Sequence, residues 1–203
     1  MNNEKRSQLI PTIARTSPVL FIILLLINCI VSPSVNSFYL FIVYILVNLS
    51  NWFIKNAIVK PIYKLTGKAK LPILGIGSRP YGASGCHFTL DGKPSTTFGM
   101  PSGHSQLAWF ISTYILCKVI NNWNNNNNNT RSNPKETVIT IFSYLWLIAS
   151  SIIILSIAFY ISYSRVYIEG CHTKQQVILG GILGVACGFI TYYFENDVIN
   201  LFK

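Results

Sequence analysis

The chain is expected to fold as an all-α integral membrane bundle of about five transmembrane helices, with its polar chemistry at helix ends on one membrane face. Three observations predict this. Of 203 residues, 51% are hydrophobic and only 11% charged, whereas a soluble domain carries roughly a quarter charged residues. Five apolar runs approach or reach the roughly 20 residues that cross hydrocarbon at about 1.5 Å rise each. Polar residues of chemical interest lie between those runs.

Residues 1–16 form a polar, basic segment with Pro11 and no small-residue cleavage site of the signal-peptide kind. The first span, about 17–32, is the shortest and stops at Pro33. A second, 37–59, opens SFYLFIVYILV and turns polar in its last turns. Residues 60–100 are rich in Gly, Pro and Lys and are expected as a structured loop at the membrane surface. The third span is 101–120. The Asn-rich segment 121–135 that follows has no means of packing a core and is expected as a disordered loop. The fourth and fifth spans are 138–163 and 173–193, closing a single domain over 17–195 before a tail at 196–203. Gly180, Gly184 and Gly188 share one stripe of the fifth span, where small side chains let a neighbouring backbone approach.

Charge narrows the chemistry. There are 16 Lys and Arg against 6 Asp and Glu, a net +10. The acids Glu4, Asp91, Glu136, Glu169, Glu195 and Asp197 are too scattered for a carboxylate-built metal centre. The five cysteines show no CxxC pairing and no zinc pattern, so no metal or cofactor is expected. Basic residues interleaved with apolar runs fit an anionic membrane or a lipid phosphate rather than nucleic acid.

His104 stands in Gly99-Met100-Pro101-Ser102-Gly103-His104-Ser105, where loop turns into helix. Free N–H groups at Ser102 and Gly103 there make an anion site at the positive helix end. His172 follows Ser164-Arg165 between the fourth and fifth spans. Counting membrane crossings puts the end of the second span, the start of the third, the end of the fourth and the start of the fifth on one face. Lys55, Arg79, Ser102, Gly103, His104, Ser164, Arg165 and His172 therefore converge. Two guanidinium forks, a helix start and two imidazoles describe a phosphate pocket with a nucleophile and an acid. His87 is expected in a surface loop.

The blocks Phe98-Gly99-Met100-Pro101-Ser102-Gly103-His104-Ser105-Gln106 and Ser164-Arg165-Val166-Tyr167…His172-Thr173…Gln176 resemble the type 2 phosphatidic acid phosphatase superfamily, and within it dolichyldiphosphatases most. The resemblance covers most of the chain. It implies a metal-independent lipid phosphatase acting through a phosphohistidine, with His172 as nucleophile and His104 as general acid and base. Gln176 would orient His172, and Lys55, Arg79, Ser102, Gly103, Ser164 and Arg165 would bind phosphate.

Three departures from the family pattern stand out. No Lys lies seven residues before Arg79, so Lys55 is taken as the counterpart, with Lys60 and Lys70 as rivals. Six residues rather than five separate Arg165 from His172, an excess that a bulge near Gly170 could absorb. Gln176 replaces the usual Asp, and Glu169 is a candidate for the missing charge. Cys86 and Cys171 fall on the active face, as a disulfide if that face is lumenal or as two separate thiols otherwise.

Orientation is pulled two ways. The active face collects 12 Lys and Arg against 4 opposite, which the positive-inside rule assigns to the cytosol. Dolichyldiphosphatases act on the lumenal face of an endoplasmic reticulum-type membrane. The expected partners are membrane lipids and a lipid phosphate or diphosphate, polyprenyl diphosphate ahead of phosphatidate. A decayed, lipid-binding relative is the non-enzymatic alternative. The absence of an internal repeat argues against a transporter.

Overall fold

The computed structural model describes residues 3–84, 86, 95, 97–129 and 136–202. His87, Lys93 and residues 130–135 of the Asn-rich segment lie outside them. Helix α1 runs Asn3–Val31 without interruption, so the basic segment expected to precede the first span is itself helical. The chain through this stretch has no glycine, and its end coincides with Pro33, which disfavours helix at the residue before it. Ser34 caps α2 (Val35–Phe53), its hydroxyl accepting from Ser37 N at 3.1 Å. A π-helical stretch, Ile54–Val59, passes into α3 (Lys60–Thr66), and Gly67, at φ +62°, ends it in the left-handed conformation.

The loop that follows is structured. Strands β1 (Lys70–Leu71) and β2 (Gly75–Ile76) pair antiparallel, Lys70 opposite Ile76. Tyr63 anchors them, donating from its hydroxyl to Gly75 O at 2.8 Å and meeting the Phe98 ring edge-on.

Helix α4 (Gly103–Asn129) starts two residues later than the third span expected from sequence and ends nine later. Residues 121–129 are therefore helical, not loop. Once a helix is nucleated, each added Asn costs only a few tenths of a kcal/mol, so polarity alone does not stop it. Helix α5 (Glu136–Tyr163) leads into a second π-helical stretch, Ser164–Ile168, and α6 runs Lys174–Asn200, seven residues beyond the expected span.

Among the described residues four helical stretches are long and apolar enough to cross a membrane: Thr12–Val31, Val35–Thr66, Ile141–Ile168 and Lys174–Asn200. The fifth long helix, α4, falls short of that apolarity because it occupies the middle of the bundle. It packs along α6 and α5 and touches α1 and α2. Its Ser105, Gln106, Ser112 and Thr113 are buried against protein rather than lipid. Apolar side chains exposed on α1 and α5, among them Leu24, Ile30, Phe142, Trp146 and Ile153, form the surface a bilayer covers.

The glycine stripe works as a packing seam. A Cβ at Gly180 would strike Ser102 O, at Gly184 it would strike Gln106 O, and at Gly188 it would lie 2.7 Å from Thr113 Cβ. Helix α6 thus rides on the α4 backbone along its length. At one end, Asn51 Nδ2 donates to Gln106 Oε1 at 2.7 Å, and Ser105 Oγ donates to Val177 O at 2.8 Å, joining α2, α4 and α6. At the other, Tyr39 OH donates to Thr191 O at 2.9 Å and Tyr114 OH to Glu195 Oε1 at 2.9 Å, with Lys118 paired to Glu195.

Candidate active site

His172 is placed by the start of α6. Thr173 is the helix N-cap and Gln176 completes a capping box, so His172 immediately precedes the N-cap of α6. The extra residue between Arg165 and His172 is taken up just upstream. The π-helical stretch lets Glu169 N reach back five residues to Ser164 O at 2.8 Å, and Gly170 reverses the chain at φ +61°. The N–H groups of Cys171 and His172 then both donate to Arg165 O, at 3.0 and 3.1 Å. A widened turn, closed at Gly170, spans the six residues between Arg165 and His172.

The protonation of His172 follows from its neighbours. Gln176 Nε2 donates to Ile76 O and Ser78 O, each at 2.7 Å, which fixes its amide so that Oε1 faces the imidazole. His172 Nδ1 lies 3.0 Å from that oxygen and must donate, leaving the lone pair on Nε2, where Arg79 Nη1 approaches to 3.2 Å. Gln suits this position because a carboxylate would turn an oxygen toward two loop carbonyls. Gly99 belongs to the same fit, since a Cβ there would come within 2.6 Å of Gln176 Oε1. Burial, reinforced by Arg79, Arg165 and His104, holds the His172 pKa well below the ordinary imidazole value.

His104 enters from the first turn of α4. Its Nε2 is 2.8 Å from Arg15 O; a carbonyl only accepts, so Nε2 carries a proton. The expected pair of free N–H groups is reduced, because Ser102 N donates to Gln176 O at 3.0 Å. Gly180 brings the first turns of α6 close enough for that bond. Gly103 lines the cavity, and Ser102 Oγ is buried without a hydrogen-bond partner among the described residues.

Both expected arginines are present and tightly held. Arg79 donates from Nη1 to Cys171 O at 3.1 Å and from Nε to Thr97 Oγ1 at 2.9 Å. Burial, then the Arg165 charge, lower its pKa to about 10, with Glu169 opposing, so it stays protonated at neutral pH. Arg165 is fully buried; Nη2 donates to Cys86 O at 2.9 Å, Nη1 pairs with Glu169, and Nε has no partner among the described residues. Cys86 and Cys171 form a disulfide, Cα to Cα 5.6 Å. The two residues whose carbonyls hold the two arginines are therefore covalently joined.

Glu169 does not contact His172, contrary to its expected role. Its carboxylate takes Arg165, the Ser164 hydroxyl at 3.0 Å and Arg15 Nε at 3.2 Å. Ser164, expected on phosphate, thus spends its hydroxyl on Glu169. Arg15 is one of the 12 basic residues that the count of membrane crossings places on the active face, but no motif marks it as a site residue; its place beside Glu169 comes from the packing of α1.

A cavity of about 560 Å³ opens at this end of the bundle; Ser102, Ser164, Arg165 and Glu169 lie behind its lining rather than in it. Arg15, Lys55, Lys60, Arg79, His104 and His172 line its polar end, while Pro18, Val19, Trp52 and Leu107 form an apolar wall. Of the three candidate lysines, Lys55 and Lys60 line the cavity, whereas Lys70, on β1, is not among its lining residues. Such a pocket suits an amphiphile, its anion against the cations and its tail along the apolar wall.

An integral membrane helical bundle with two imidazoles and a cluster of cations at one end is the class that fold and site define. Residues 37–199 match the PAP2 superfamily, and the chain belongs to that superfamily. Among curated proteins it is similar to Dolichyldiphosphatase 1 of Homo sapiens, 32% identical over 152 residues that cover 73% of this chain and 48% of the relative. The Rhinolophus ferrumequinum and Mus musculus proteins of that name are 32% and 30% identical over the same shares. The chain spans about half the length of the curated relatives it matches. No solved structure matches it. The superfamily match starts inside α2, so α1 and Arg15 lie outside it.

Proposed function

We propose that this protein is a membrane-bound, metal-independent lipid phosphatase that hydrolyses a phosphate or diphosphate ester, with a dolichyl-type polyprenyl diphosphate as the favoured substrate. The observation that carries the proposal is the His172 tautomer: Nδ1–H on Gln176 leaves the lone pair on Nε2, beside Arg79 Nη1, and His172 lines the same cavity as His104. Neutral His172 attacks phosphorus through Nε2 and forms an N–P bond, giving a phosphohistidine. The P–O bond to the leaving oxygen breaks with its electron pair, and His104, as imidazolium, supplies that oxygen with a ring proton. The incoming anion brings the charge that favours protonated His104. Neutral His104 then takes a proton from water, the hydroxide attacks phosphorus, and the N–P electron pair returns to His172.

Arg79, Arg165 and Lys55 or Lys60 neutralise the phosphoryl oxygens, with Ser102 Oγ and Arg165 Nε as buried donors not committed elsewhere among the described residues. The one acid in the site, Glu169, is engaged by two guanidinium groups, a donor set unsuited to a divalent metal. The relatives' name supports the diphosphate; an endoplasmic reticulum-type membrane as the location rests on the family resemblance alone.

The test is phosphate release by the detergent-solubilised full chain from a panel of lipid mono- and diphosphates, with and without EDTA. EDTA-insensitive release that falls at least about 10³-fold in His172→Ala is expected. Full turnover in that variant, or loss of turnover in EDTA, refutes the mechanism.

A further inference from the structure

We infer that Arg15 is a specificity-determining residue that binds the phosphate remaining on the lipid after cleavage, so that the site selects a lipid diphosphate over a lipid monophosphate. This rests on the phosphatase reading above. In an in-line displacement the leaving group departs opposite the nucleophile, toward the acid. The acid, His104, has its Nε2 2.8 Å from the backbone carbonyl of Arg15, so the Arg15 position borders the place where the leaving group emerges. From a lipid diphosphate that group is a lipid monophosphate, with an anion one bridging oxygen beyond the broken bond. From a lipid monophosphate it is an alcohol, which gains nothing from a cation.

Arg15 is built for the first case. Its side chain is only 20% exposed and lines the cavity, and Glu169 holds it through Nε at 3.2 Å. Its two terminal nitrogens make no hydrogen bond among the described residues, leaving a fork that matches a phosphate edge. Glu169 also holds Arg165 and can neutralise only one guanidinium, so this corner stays net positive. Arg15, Lys55, Lys60 and Arg79 give the lining four cations and no carboxylate. That exceeds the charge of a phosphate monoester, roughly −1.5 to −2 at neutral pH, and suits two linked phosphates.

The bonds balance as in the mechanism above. His172 Nε2 bonds to the terminal phosphorus, the bond to the bridging oxygen breaks, and His104 protonates that oxygen while Arg15 holds the phosphate that carries it. Water then releases inorganic phosphate, so lipid diphosphate and water give lipid monophosphate and phosphate.

The experiment compares kcat/KM for a polyprenyl diphosphate and the monophosphate of the same chain length, using the full chain in detergent. Arg15→Met should lower the diphosphate-to-monophosphate ratio by about 10- to 100-fold, the range for one charge-assisted hydrogen bond, with Arg15→Lys in between. The ratio is independent of how much variant folds. An unchanged ratio, even with both rates reduced, overturns the assignment in favour of a structural Arg15. A second readout needs no turnover: inorganic pyrophosphate should raise the melting temperature of the wild type more than orthophosphate does. Arg15→Met should erase that difference, and its persistence also overturns the assignment. Wild-type protein that hydrolyses neither lipid sinks the phosphatase reading instead, and the pyrophosphate comparison then decides Arg15 alone.

Discussion

In the proposed mechanism His172 serves as nucleophile only while neutral, and its surroundings favour that form. An ordinary imidazole titrates near about 6.5. Here burial, then the Arg79, Arg165 and His104 charges, push the value down, so the neutral form persists as pH falls through 6.5 and is lost only further down. Arg79→Gln removes the nearest cation, so the acid limb of its kcat/KM profile should lie at higher pH than that of the wild type. The substrate titrates identically in both, and coincident limbs would contradict the electrostatic account. At this scale the sequence made His104, His172, Gln176, Arg79 and Arg165 legible, because their spacing carries the pattern. It hid the partners those groups choose. Glu169 binding guanidinium groups rather than His172, and Ser102 N donating to Gln176 O, depend on where neighbouring backbones pass, which local spacing does not encode.

Among the elements, the two π-helical stretches carry Lys55 and Arg165. The second accommodates one residue more than the family spacing without moving His172 off the start of α6. The seam between α4 and α6 makes a sharper prediction. A methyl group at Gly184 meets a backbone carbonyl, which cannot rotate away, so the helices must separate. Gly184→Ala is expected to cost about 1–3 kcal/mol, read as a lower unfolding midpoint in detergent; an unshifted midpoint would remove the seam from the account of stability. The five long helices and the packing role of the glycine stripe were legible from sequence. Their ends were not, because hydropathy marks where lipid stops while caps and breakers decide where a helix stops. Hence α1 starts at Asn3, α4 runs to Asn129 and α6 to Asn200.

Across the whole molecule, the Cys86–Cys171 bond ties the loop after β2 to the turn before α6, positions 85 residues apart in sequence. Removing it in Cys86→Ser should lower stability by about 2–5 kcal/mol and reduce kcat/KM, since both arginines hang from the joined carbonyls. A variant with wild-type melting and turnover would show the bond to be dispensable. Such bonds last in oxidising compartments, which favours a lumenal or external active end over the 12-to-4 basic count. Four of those twelve, Arg15, Lys55, Lys60 and Arg79, line the cavity, so their place on that face has a reason other than sidedness. The buried, polar character of α4 reaches further, into biogenesis. With Gln106, Ser112 and Thr113 turned to its neighbours, α4 has little reason to leave the translocation channel sideways by itself. It becomes lipid-compatible only once α5 and α6 have emerged to sheathe it, so the candidate histidine it carries, His104, takes its place last, with the closing of the bundle.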